Sequence, residues 1–146
     1  MNQYEELRNR QQQEFNALPL GFAFSKKQFT EMMQDWGLDP DKDVDKIYSI
    51  GFGGYVQKKD AELLHQTRER HDAELEAAIA ADETGEGFIC QMFVCELDNH
   101  EYGCTRDVGS TLVALDYTQE QLQADKRLLN GLKRACKKIL DRECGR

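Results

Sequence analysis

Cys90, Cys95, His100 and Cys104 place four residues of zinc-ligand type within one short stretch. Thiolate and imidazole are the donors of structural zinc sites, so metal chemistry would have to be sought here first. The spacing argues against it. Four, four and three residues intervene, and there is no Cys-x-x-Cys knuckle. On a helix, Cys90 and Cys95 would stand about 140° apart around the axis and could not converge on one ion. Small, buried free thiols are the better reading, and no metal or other cofactor is expected.

Gly51-Phe52-Gly53-Gly54 invites a phosphate-cradling reading. A Walker loop or a dinucleotide fingerprint leads into a helix, whereas this run leads into β-prone Tyr55-Val56-Gln57. A kinase-type glycine-rich hairpin would fit that topology, but the chain lacks H-R-D and D-F-G. A hairpin turn whose glycines supply positive φ is what remains.

The histidines His65, His71 and His100 do not group with a Ser or Cys nucleophile. His71 falls on the apolar face of a helix, as a satisfied boundary residue does. His100 lies near a helix end, where the dipole favours an imidazolium. The alternating acids of Asp39-Pro40-Asp41-Lys42-Asp43-Val44-Asp45 lack the glycine and the glutamate of an EF-hand loop. No residue is assigned a catalytic role, and the chain is read as non-enzymatic.

What stands out is charge. Residues 60–101 hold twelve Asp and Glu against Arg68 and Arg70, a local net of −10 within a chain of net −8. Such a field repels phosphates and attracts basic surfaces; it bears on partner and solubility rather than on fold. Direct nucleic-acid binding is not expected. The basic C-terminal stretch (Lys133, Arg134, Lys137, Lys138, Arg142) has no interleaved aromatics. Its basic face is expected to complement the acidic middle, within one molecule or across a dimer.

A chain of 146 residues with seven Phe, five Tyr and one Trp can bury a core as a single domain, 1–146. No apolar run approaches the roughly 18 residues needed to span a bilayer, so no membrane role is expected. The start lacks signal-peptide regions, and five cysteines cannot all pair. A cytoplasmic protein is expected.

The apolar periodicity sets the elements. Tyr4, Leu7, Gln11, Phe15 and Leu18 recur at helical spacing over 3–17, and the helix stops before Pro19. Phe22-Ala23-Phe24 reads as extended. Ser25–Gln28 opens a helix carrying Phe29, Met32, Met33 and Trp36 on one stripe, with Gly37 as its stop. Ile47–Ile50 and Tyr55–Gln57 make a hairpin, with Phe22–Phe24 as a third strand. Asp60 caps the longest helix, 61–81, with Leu64, Thr67, His71, Leu75, Ala78 and Ile79 on one face. The run 88–97 is apolar nearly all round and reads as a central buried helix. Shorter helices follow at 109–116 and after Thr118, and Leu128–Leu140 carry a last regular stripe. The expected class is α+β, mostly helical, with five or six helices packed on a small two- or three-stranded antiparallel hairpin sheet.

Phe15–Ser25 (FNALPLGFAFS), Trp36-Gly37-Leu38, Lys46–Tyr55 (KIYSIGFGGY) and Ala80–Gly103 (AADETGEGFICQMFVCELDNHEYG) together resemble an uncharacterised family of small acidic proteins. Its members are encoded by phages and mobile elements of Gram-positive gut bacteria. The resemblance implies a phage accessory protein, and in that setting compact acidic proteins often inhibit host defence nucleases, CRISPR effectors among them. It supplies no catalytic residues. The expected function is binding of a basic protein surface, such as that of a nucleic-acid-binding effector, in an anti-CRISPR-like role. The expected contacts are Glu62, Glu69, Asp72 and Glu76 on the outward face of helix 61–81, with Asp82, Glu83 and Glu86. Two alternatives stand beside it. One is a ligand-binding or enzymatic domain with a pocket between hairpin and helices, using Tyr48, Tyr55, His71 and Tyr102. The other is a homo-oligomeric structural protein.

Overall fold

In the computed structural model, which describes residues 2–144, the elements run α1 (Gln3–Asn16), β1 (Leu20–Phe22), α2 (Lys26–Asp35), β2 (Ile47–Gly51), β3 (Gly54–Gln57), α3 (Ala61–Ala81), α4 (Phe88–Asn99), α5 (Tyr102–Thr105), α6 (Gly109–Ala114), α7 (Gln119–Ala124) and α8 (Lys126–Cys144). This is the expected α+β, mostly helical class. Among the described residues there are eight α-helices, more than the five or six expected. Of the short pieces, α6 and α7 fall where helices are expected at 109–116 and after Thr118, while α5, a single turn of four residues, is too short to show a period. No described helix is long and apolar enough to cross a membrane.

The contacts divide the chain into two compact units, Met1–Arg10 with Ala73–Arg146, and Gln11–Asp72. In the first, α4 lies at the centre, as its apolar composition requires. Phe88, Ile89, Cys90, Met92, Phe93 and Leu97 are all buried, and the stripe of α8 (Leu128, Leu132, Ala135, Ile139) joins the same cluster. Each fully buried Leu, Ile, Phe or Met among them contributes roughly 1.5–3 kcal/mol. Tyr4 closes one side, its ring edge-on to Phe88. Its hydroxyl donates to Glu96 Oε1 at 2.9 Å and accepts from Arg8 Nε at 3.2 Å. Burial pushes the Tyr4 phenol up to about 12, so it stays a neutral donor. A full capping box at Thr118 and Gln121 opens α7.

In the second unit the sheet order is β1-β3-β2, antiparallel throughout. The third strand pairs Leu20 with Val56 and Phe22 with Gly54, two residues earlier than the expected 22–24. Ala23 adds one backbone bond to Gly53 O at 2.8 Å before the chain turns into α2. Ser25 Oγ caps α2 by accepting from the Gln28 amide at 3.1 Å. At the other end Gly37 adopts φ 71°, and the Leu38 and Gly37 amides return to Met33 O and Gln34 O, a Schellman stop. Met32, Met33 and Ile47 are buried beneath Phe29, Trp36 and Tyr55. The turn joining β2 to β3 places both Phe52 (φ 51°) and Gly53 (φ 76°) in the left-handed region, as a two-residue I′ hairpin demands. α3 follows directly from a 3-10 turn, Lys58–Asp60.

Candidate partner-docking surface

The α3 helix begins in the second unit, where Leu64 and Thr67 are its buried side chains. At 100° per residue, Glu62, Glu69 and Asp72 then fall within an arc of about 80° on the outward side. All three are exposed. Glu62 accepts from Gln66 Nε2 at 3.2 Å and Glu69 lies 3.0 Å from His65 Nε2, both one turn away on the same helix. None of the three is paired with a Lys or Arg among the described residues. His71 is half-buried, its Nε2 2.8 Å from Glu14 Oε2, while Gln11 donates to its carbonyl at 3.0 Å. It is the satisfied boundary residue that its place on the apolar face suggests.

In the first unit the remaining acids have divergent fates. Glu76 and Glu83 are exposed. Glu86 is ion-paired with Arg134 of α8 at 2.5 Å, and Asp98 with Arg142 at 2.6 Å. The basic face of α8 therefore complements the acidic middle within the molecule at these two places.

Asp82 does not face outward as a contact. Its Oδ1 accepts the Thr84 and Gly85 amides at 3.2 and 2.9 Å, and its Oδ2 those of Gly87 and Ile89 at 3.1 and 3.0 Å. Burial alone would raise its pKa. The amides outweigh that, and its carboxyl sits below the usual range. It supplies the acceptor that α4 lacks at Gly87, a helix start with no capping side chain of its own. Arg127 Nη1 in turn donates to the Ile79 and Asp82 carbonyls at 3.0 and 2.9 Å, closing the C-terminal end of α3.

Of the zinc-type residues, Cys90 is buried, Cys95 half-buried and Cys104 exposed. His100 is the C-cap of α4. Among the described residues these four supply no three ligand atoms close enough to share an ion. Cys95 is engaged instead with Asn2 and Glu5, both at 3.3 Å, and burial pushes its thiol up to about 11.

Tyr48 is half exposed beneath the Lys58 ammonium, Tyr55 packs edge-on against Phe29, and Tyr102 is buried. Sequence reasoning missed the apolar exposure of the sheet. Phe52 is 99% exposed, Phe24 74% and Phe22 55%. The one signal available was a phenylalanine inside a glycine turn, where packing cannot reach it.

The chain belongs to the DUF7659 family, a family of unknown function, whose model matches residues 3–138. No curated protein and no solved structure matches it.

Proposed function

We propose that the protein is a non-enzymatic accessory protein that docks on a basic protein surface. The observation that carries this reading is the exposed arc of Glu62, Glu69 and Asp72, held by one helix and paired with no Lys or Arg among the described residues. Glu76 and Glu83 add exposed negative charge on the other unit. Carboxylates already fixed on a helix but left without cations speed encounter with a positive partner and penalise a negative one. The phage and mobile-element setting implied by the sequence resemblance makes a bacterial defence nuclease, an effector with a basic nucleic-acid channel, the partner proposed. Asp82 and Glu86 are left out of the contact set, because their charges are spent within the fold.

Affinity capture from a Gram-positive host lysate, followed by a cleavage assay on the captured nuclease, tests this. Recovery should fall as salt rises, because exposed charges are screened beyond about 10 Å at 0.1 M. The E62K/E69K/D72K variant should lose the nuclease and its inhibition. Capture and inhibition indifferent to both salt and charge reversal would reject the reading.

A further inference from the structure

β2 is an outer strand of the second unit's sheet, and among the described residues no strand pairs with its free side. Natural sheets blunt such an edge with a lysine, a proline or an inward charge. This edge has none of them. From Ile47 to Gln57 there is no charged residue and no proline, in a chain whose charged fraction is 32%. One irregularity, a register shift between Ser49 and Gly51, lies at the hairpin end and leaves Ile47, Tyr48 and Ser49 in regular register with β3. The opposite edge is managed differently. β1 is three residues long, follows Pro19 and has Glu31 and Asp35 of α2 beside it.

The β2 edge also carries apolar surface that the fold leaves uncovered. Val44, Tyr48 and Phe52 are 50, 50 and 99% exposed, and they stand at intervals of four residues, symmetric about Tyr48. A two-fold axis through Tyr48, with two β2 strands antiparallel, sets this ring against its own copy and Ile47 against Ser49. It also brings Phe52 of one chain towards Val44 of the other. Aromatic pairs directly opposite one another are among the contacts that stabilise a sheet. The Lys58 ammonium, 4.9 Å from the Tyr48 ring centroid, extends from the end of β3, inboard of the free edge.

We propose that this edge pairs with a second copy of the chain, two β2 strands meeting antiparallel about Tyr48 and joining two three-stranded sheets into one. The surface is self-complementary, as a two-fold interface requires. A strand of five residues gives an interface at the low end of the size range, so the dimer forms at high concentration and dissolves in dilute solution. This goes beyond the α3 reading and does not depend on it.

Sedimentation of the full chain over a concentration series tests it. The mass should rise from monomer to dimer, and salt should not reverse the rise, because the paired strands carry no charge. Y48E puts like charges face to face and should weaken the dimer about tenfold, with far-UV circular dichroism unchanged. E62K/E69K/D72K should dimerise as the wild type does. Residues directly opposite in an antiparallel pair have Cα atoms about 4.5–5.5 Å apart, within reach of a disulfide. Y48C should therefore cross-link two chains under mild oxidation beyond what the wild-type cysteines do, and F22C, on the other edge, should not. A monomer at every concentration, a dimer that salt dissolves or that Y48E leaves intact, or Y48C cross-linking no better than F22C would overturn the proposal. A monomeric chain whose Tyr48 and Ser49 amides gain exchange protection only with a different protein would also overturn it, and would assign the edge to that protein.

Discussion

Gly131 of α8 lies against Ile89 of α4 so closely that a Cβ at position 131 would stand 2.5 Å from Ile89 Cγ2. The Gly85 carbonyl oxygen would be 2.9 Å away. In an exposed helix interior, Gly→Ala gains about 1 kcal/mol. Here overpacking should prevail, and G131A should lose about 1–3 kcal/mol. Urea denaturation measures it; an unchanged or higher midpoint would contradict the packing described.

The Asp82 carboxylate accepts four backbone amides, so D82N should cost about 1–3 kcal/mol at neutral pH. The pH dependence has a definite sign. A carboxyl whose pKa is lower in the folded than in the unfolded chain stabilises above the unfolded value, about 3.9. That contribution is lost as pH falls through the folded pKa. Stability curves in acid should therefore be steeper for the wild type than for D82N. Parallel acid limbs would show that Asp82 contributes no such linkage.

Two phenylalanines should answer in opposite directions. Phe93 is fully buried, and F93A should lose about 3–5 kcal/mol. Phe52 has φ 51° and 99% exposure, so F52N, which suits a left-handed turn position, should raise stability by up to about 1 kcal/mol. Thermal melts of the two variants decide it; a destabilised F52N would mean that the ring holds the turn.

Thiol chemistry should sort by burial. Cys104 and Cys144 are exposed, whereas burial raises the pKa of Cys95, to about 11, and of Cys136. Iodoacetamide near pH 8 should label Cys104 and Cys144 well before Cys90, Cys95 and Cys136. Peptide mass spectrometry reads the order, and early labelling of Cys95 would count against its burial beside Glu5.

The long elements were legible because their apolar spacing is regular and their ends carry local chemistry. α3 has its expected bounds, and Ser25, Gly37 and Thr118 act where their types suggest. α5 was not legible: it is one turn set between left-handed Glu101 and Arg106, and no period exists over four residues. β1 was displaced because strand pairing, rather than the Phe-Ala-Phe alternation, sets where it lies. The exposed acidic face of α3 was legible only as charge. Sequence spacing cannot tell Glu83, which faces solvent, from its neighbour Asp82, which gathers amides that arrive from later in the chain.

That difference divides the negative residues into two kinds. Glu62, Glu69 and Asp72 are exposed, and the bonds that Glu62 and Glu69 make stay on their own helix, so exchanging them alters the charge of the exterior. Asp82 offers no such latitude. Its side chain collects the loop into α4 and its carbonyl is gripped by Arg127, so one residue joins the end of one helix to the beginnings of two others.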